Sequence, residues 1–229
     1  MITRRTLAAA AAAPLLAASL VAAPALAQAP AAPKPNPQVK LTTPEGAILI
    51  ELFVDKAPIT ARNFLRYVDS HRFDGATFYR ASTPKGDETK ATGVVQGGLQ
   101  NDPKKVYPPI AHESTLKTGL KHTDGTLSMG RHAPGTAQSD FFICVGDQPY
   151  LDADPNDPKN PGFAAFARVV EGMDVVKAML KRATDPNKGA GVMKGEYFRT
   201  PVVIQSARRL ATPIAPAAAP APATPPTQP

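Results

Sequence analysis

Side chains able to make or break bonds are sparse in this sequence, and their spacing removes most chemistries from consideration. The one cysteine, Cys144, has no partner for an internal disulfide and no companions for a multi-cysteine metal site. It sits in the apolar run Phe141-Phe142-Ile143-Cys144-Val145 and reads as a small buried hydrophobe rather than a reactive thiol. The four histidines (His71, His112, His122 and His132) show neither i, i+4 spacing nor paired carboxylates, and each reads as a surface or turn residue. No metal and no cofactor is therefore expected. What remains is the chemistry of isolated donors and cations set in apolar strands. Arg80 follows Phe78-Tyr79, and Gln96 lies between Val94-Val95 and Gly97-Gly98. By residue type alone Arg80 is a solvated strand-end residue and Gln96 an ordinary strand amide.

The elements that must position these residues follow from periodicity. Val39 to Thr43 and Ala47 to Val54 read as two strands around the turn Pro44-Glu45-Gly46. Pro58 opens a helix in which Ala61, Phe64, Leu65 and Val68 recur at i, i+3, i+4, i+7, while Arg62, Arg66 and Asp69 face away. Strands are expected at Ala76 to Arg80, Val94 to Gln96, Thr126 to Gly130, Phe141 to Val145, Phe163 to Val170 and Val202 to Ala207. A second helix is expected over Met173 to Arg182, with Val176, Met179 and Leu180 on one side. Ser82 to Gly93, Asn101 to Thr118 and Arg131 to Ser139 read as loops. Eight strands and two helices without βαβ alternation fit a mainly β, closed antiparallel barrel capped by helices.

Composition separates this folded part from its flanks. The chain has 229 residues and 26 prolines, of which six fall in residues 1–37 and seven in 211–229. Residues 1–27 carry Arg4-Arg5, an uncharged Ala/Leu-rich run and an Ala25-Leu26-Ala27 cleavage pattern, so they read as an export signal. Pro14 and Pro24 argue against a membrane-spanning helix. Thr3-Arg4-Arg5-Thr6-Leu7 also resembles a twin-arginine signal, and either export route fits. Residues 28–37 read as an Ala/Pro-rich spacer, 38–210 as the folded domain and 211–229 as a disordered Ala/Pro-rich tail. Cleavage after Ala27 leaves 24 basic and 19 acidic residues, a net +5, with no arginine-rich or aromatic-interleaved strip to bind nucleic acid. A periplasmic or secreted monomer is expected, touching a membrane only through an uncleaved signal segment.

Four motifs, Phe78-Tyr79-Arg80, Val94-Val95-Gln96-Gly97-Gly98, Lys121 to Met129 and Ser139-Asp140-Phe141-Phe142-Ile143, occur in order. Together with Glu51-Leu52-Phe53 through Phe64, and Val169 to Val176, they resemble cyclophilin-type peptidyl-prolyl isomerases. The resemblance implies an eight-stranded antiparallel barrel with a helix at each end. It also implies a shallow groove on the outside of that barrel, and catalysis without metal, nucleotide or covalent intermediate. Proline-containing polypeptides are the partners it implies. Arg80 then occupies the position whose cation is directed at the prolyl nitrogen, and Gln96 the position that holds the arginine and the substrate backbone. Phe142 matches the floor of the proline pocket, and Val94 and Leu151 match its apolar walls. Tyr150 stands where many members carry tryptophan or a substitute aromatic, and it reads either as a groove residue or as a plain surface tyrosine.

Departures from the family pattern fall around that groove. Gly93 occupies the place of a pocket aromatic, in a longer, polar Ser82–Gly93 loop. Gly130-Arg131-His132 replaces alanine-asparagine-alanine, which keeps backbone to pair with a peptide while adding charge at the rim. Asp140 replaces a glutamine, and a carboxylate so placed is expected to compete for Arg80. Phe163 replaces a pocket histidine and offers an apolar wall without a hydrogen bond. Two functions stay open: an isomerase acting on X-Pro bonds in exported proteins, and a peptide-binding or chaperone module of the same fold with little catalysis.

Overall fold

The computed structural model describes residues 35–84, 86–87 and 89–211. The segment expected to be an export signal, most of the expected spacer and the residues beyond Ala211 lie outside the described residues. Nine strands form one antiparallel sheet: β1 Gln38–Thr43, β2 Gly46–Leu52, β3 Thr77–Ser82, β4 Gly93–Gly98, β5 Thr126–Met129, β6 Phe141–Val145, β7 Ala165–Glu171, β8 Tyr197–Val203 and β9 Ser206–Arg209. Their order is β8-β3-β4-β6-β5-β7-β2-β1-β9, curled into a half-barrel. Three helices accompany it: α1 Pro58–Asp69, α2 Thr115–Thr118 and α3 Met173–Leu180.

Nine strands stand where eight were expected, because the last segment is longer and interrupted. It starts at Tyr197 rather than Val202 and breaks at Ile204-Gln205, where the Ile204 N–H bonds to the Ala76 carbonyl and the Gln205 N–H to the Thr42 carbonyl. The third helix is the single turn α2, within a segment expected to be loop. Its N-cap Ser114 accepts from the Leu116 N–H, and Gly119 closes it in the left-handed region.

Helix α1 buries Ala61, Phe64, Leu65 and Val68 as its period requires, and also Tyr67. Its N-cap is Ala57, which has no side-chain acceptor. Glu113 supplies one from the loop before α2: its carboxylate accepts from the Ile59 and Thr60 N–H groups and from the Thr60 hydroxyl. These are donors that a helix start leaves unsatisfied.

Strand alternation divides two apolar clusters across the sheet. Val95, Phe141, Ile143 and Val145 point inward to the main core, with Leu127, Met129 and Phe166. Val94, Phe142 and Cys144 point outward into a small separate cluster with Leu151, against which Phe163 packs. Strand β6 is thus buried on both faces. The pairing of β3 with β4 slips between Phe78 and Arg80, so Tyr79 is an extra, bulged residue. Phe78 and Ala81 join the main core, and Tyr79, Arg80 and Ser82 face the outer side.

Candidate active site

The outer face of β3, β4 and β6 is where the expected site residues converge. The bulge at Tyr79 delivers Arg80 there, and register places Arg80 opposite Gln96 and Gln96 opposite Phe142. A cavity of about 370 Å³ is lined by Arg80, Val94, Gln96, Phe142, Leu151 and Phe163. Gly130, Arg131 and Tyr150 complete the expected wall, and Tyr150 is 65% exposed at its lip. Asp140 and His132 belong elsewhere. They line an adjoining cavity of about 220 Å³ with Tyr79, Gln100 and Asn101. Gln96, Gly130, Arg131 and Met193 border both spaces.

The guanidinium of Arg80 is held on two sides. Its Nη1 donates to Gln96 Oε1 at 2.5 Å, while Nε and Nη2 donate to Glu196 Oε2 at 2.8 and 2.5 Å. Ser82 Oγ donates to the other oxygen of Glu196 at 2.7 Å. The partner carboxylate of Arg80 is therefore Glu196 and not Asp140, contrary to expectation. Gln96 spends its amide on the same network, Nε2 donating to the Tyr79 hydroxyl at 2.7 Å. Burial keeps the Tyr79 phenol far above its ordinary range, so it stays protonated, and its ring stacks on Tyr197 at 5.8 Å.

The floor of the larger cavity is aromatic. Phe163 meets Phe142 edge-on, with centroids 5.4 Å apart, and so fills the wall it was expected to form. Arg131 lies over the Phe163 ring, its Cζ 4.6 Å from the centroid, and donates through Nη2 to the Gly162 carbonyl. Behind Phe142, His122 stacks at 6.1 Å. This histidine was expected at the surface and is instead buried, joined through Nδ1 to Asp152 at 2.7 Å and through Nε2 to Ser128 at 2.9 Å. The spacing resembles a nucleophilic triad, but Ser128 is fully buried, and the chain acts as a strut beneath the groove. Burial lowers the His122 pKa against the pull of Asp152. Cys144 is buried too, its thiol pushed up to about 12 by desolvation, as suits an inert apolar residue.

Asp140 caps the turn after β4. Its Oδ1 accepts from the Gln100 N–H at 2.8 Å, directly over Gly98, whose φ is +137°. A Cβ on Gly98 would lie 2.2 Å from that oxygen, and one on Gly97 would lie 2.8 Å from the Phe78 ring. Both glycines of the motif are thus explained by close approach. Burial raises the Asp140 carboxyl from 3.8 to about 6, against the backbone N–H groups of Gln100, Asn101 and Leu99. Since the folded value is the higher, the contribution of protonated Asp140 to stability is full below pH 3.8 and lost as pH rises through about 6. Unfolding free energies measured across that window should show this falling component, and Asp140→Asn should remove it. An unchanged slope in the variant would assign the titration to another group.

Sequence reasoning missed Glu196, Met193 and Val192. The last two come from a 3-10 turn, Gly191–Met193, that forms a wall of the larger cavity; Val192 is 90% exposed. The available signal was an apolar pair, Val192-Met193, in a polar, glycine-rich stretch just before a strand.

Known proteins match this arrangement in sequence and in fold. The family model for cyclophilin type peptidyl-prolyl cis-trans isomerases matches residues 38–208. A peptidyl-prolyl cis-trans isomerase of Acinetobacter baylyi is 38% identical over 145 residues, 62% of this chain and 70% of the relative. The cyp18 isomerase of Streptomyces antibioticus is 35% identical, over 75% of this chain and 98% of its own. Peptidyl-prolyl cis-trans isomerase B of Escherichia coli is 36% identical, over 73% and 96%. Among solved structures, a cyclophilin type isomerase of Cryptosporidium parvum shares the fold with a TM-score of 0.60 at 20% identity, covering 78% of this chain and 99% of that one. With the family model spanning most of the chain and these relatives covered over most of their length, the chain belongs to the cyclophilin-type peptidyl-prolyl cis-trans isomerase family.

Proposed function

We propose that this protein is a peptidyl-prolyl cis-trans isomerase that acts on X-Pro bonds of exported polypeptides, with Arg80 as its electrophile and Gln96 as its orienter. The observation that carries the reading is a guanidinium fixed by Gln96 and Glu196 at the edge of an apolar cavity floored by Phe142. An X-Pro bond isomerises slowly because amide resonance sets a barrier of about 20 kcal/mol. Breaking the resonance needs no nucleophile. A donor aimed at the prolyl nitrogen favours the twisted form, in which that nitrogen regains its lone pair. A guanidinium suits this task because it stays charged and presents a rigid fork of donors. Each tenfold gain in rate requires about 1.4 kcal/mol of such preference.

Val94, Phe142, Leu151 and Phe163 supply the apolar contact for the proline ring, and Gly130 the backbone for the peptide. One relative's fold was solved in the presence of the dipeptide ala-pro, which accords with proline-containing peptides as ligands. Residues 1–27 direct export in this reading, and 38–210 form the catalytic domain. The turn between β8 and β9 bonds to Ala76, just before β3, and to Thr42 in β1, which supports a barrel-like closure of the catalytic domain. A protease-free exchange assay on an Ala-Pro peptide should show acceleration by the purified chain. Peptide binding without acceleration would replace this reading with the chaperone module.

A further inference from the structure

Arg80 has five N–H groups, and three of them find acceptors among the described residues. Nε and one Nη2 hydrogen converge on a single oxygen, Oε2 of Glu196, and one Nη1 hydrogen goes to Gln96. Two hydrogens remain, one on each terminal nitrogen, to serve the cavity that Arg80 lines. Glu196 itself does not line that cavity. Its place is set by backbone: its carbonyl accepts from the Ala81 N–H, and the next residue, Tyr197, pairs with Arg80 across β3 and β8. Ser82, two residues along β3, fixes its second oxygen.

We propose that Glu196 is the positioning residue of Arg80, a carboxylate that fixes the plane of the guanidinium so that its two remaining donors face the prolyl peptide. The proposal rests on the isomerase reading above. The pair is mostly buried, with side chains 15% and 22% exposed, so removing one partner costs some stability. Its effect on the reaction is therefore read as kcat of the folded variant. A flexible arginine left with one anchor spreads over several rotamers, and a displacement of the reacting group by an ångström costs up to about a hundredfold in rate.

The test uses the full chain and an X-Pro peptide followed by exchange spectroscopy. Glu196→Ala should lower kcat about tenfold while leaving KM within about twofold. Glu196→Gln should keep kcat within about twofold of wild type, because one carbonyl oxygen suffices for both Arg80 bonds. The Arg80 Nε–H resonance should be protected in wild type and in Glu196→Gln, and exchange freely in Glu196→Ala. An unchanged or raised kcat in Glu196→Ala overturns the proposal, as does an equal loss in the two variants. Should Glu196→Ala fail to fold, Ser82→Ala takes its place, with kcat expected to fall about two- to threefold and an unchanged value overturning the proposal. Inactive wild-type protein would instead overturn the isomerase reading.

Discussion

Replacing Arg80 by alanine should lower kcat for X-Pro isomerisation by about two orders of magnitude, the range typical for loss of one preorganised donor, while the protein stays folded. The fold survives because the side chain lies outside the main core, on the outer face of β3. Glu196 then keeps the Ser82 hydroxyl and partial access to water, so the stability lost should be about 1–3 kcal/mol. Arg80→Lys should recover only a small part of the rate. An ammonium is a point charge on a flexible stem and cannot serve Glu196, Gln96 and the prolyl nitrogen together. Normal turnover by the alanine variant would remove Arg80 from the mechanism.

The largest expected effect on stability lies one residue from the pocket floor. Phe141 is fully buried and meets Phe64, Phe73 and Phe78 edge-on, at 5.3, 5.7 and 5.8 Å. Phe141→Ala should cost about 3–5 kcal/mol, or roughly 10 °C in Tm for a domain of this size. Its neighbour Phe142 points the other way, into the groove. Phe142→Ala should mainly raise KM for a proline peptide and destabilise less, since its ring borders open space. Denaturant unfolding and steady-state kinetics on both variants check the pair. Equal losses of stability would mean that the two faces of β6 are not distinct.

Local pattern carried much of this structure because the sheet alternates and α1 keeps its period. The apolar runs of β4 and β6 show where strands lie, and resemblance assigns Arg80, Gln96 and Phe142 to one groove. What local pattern does not carry is pairing between distant polar residues. Glu196 is 116 positions from Arg80 and sits in a stretch of glycines and charges without an apolar period. Glu113, which caps α1 from 53 positions away, is illegible for the same reason. His122 looks like a turn residue until Asp152 and Ser128 close around it. The end of β8 is set by bonds to Ala76 and Thr42, which no window of sequence reveals.

The bulge at Tyr79 makes the site a question of parity. A strand deals its side chains alternately to two faces, so residues two apart share a side. Phe78 and Arg80 are two apart and lie on opposite sides, because one uncounted residue shifts the phase between them. Pairing Tyr79 in regular register would close the bulge and turn the guanidinium toward Phe64 and Phe141, while drawing Ala81 out of the core; deleting Tyr79 would instead leave Arg80 next to Phe78 and still facing out. Substitutions around Arg80 can vary one at a time, but the extra residue in β3 must stay unpaired, because pairing it would exchange the inside of the protein for its working surface.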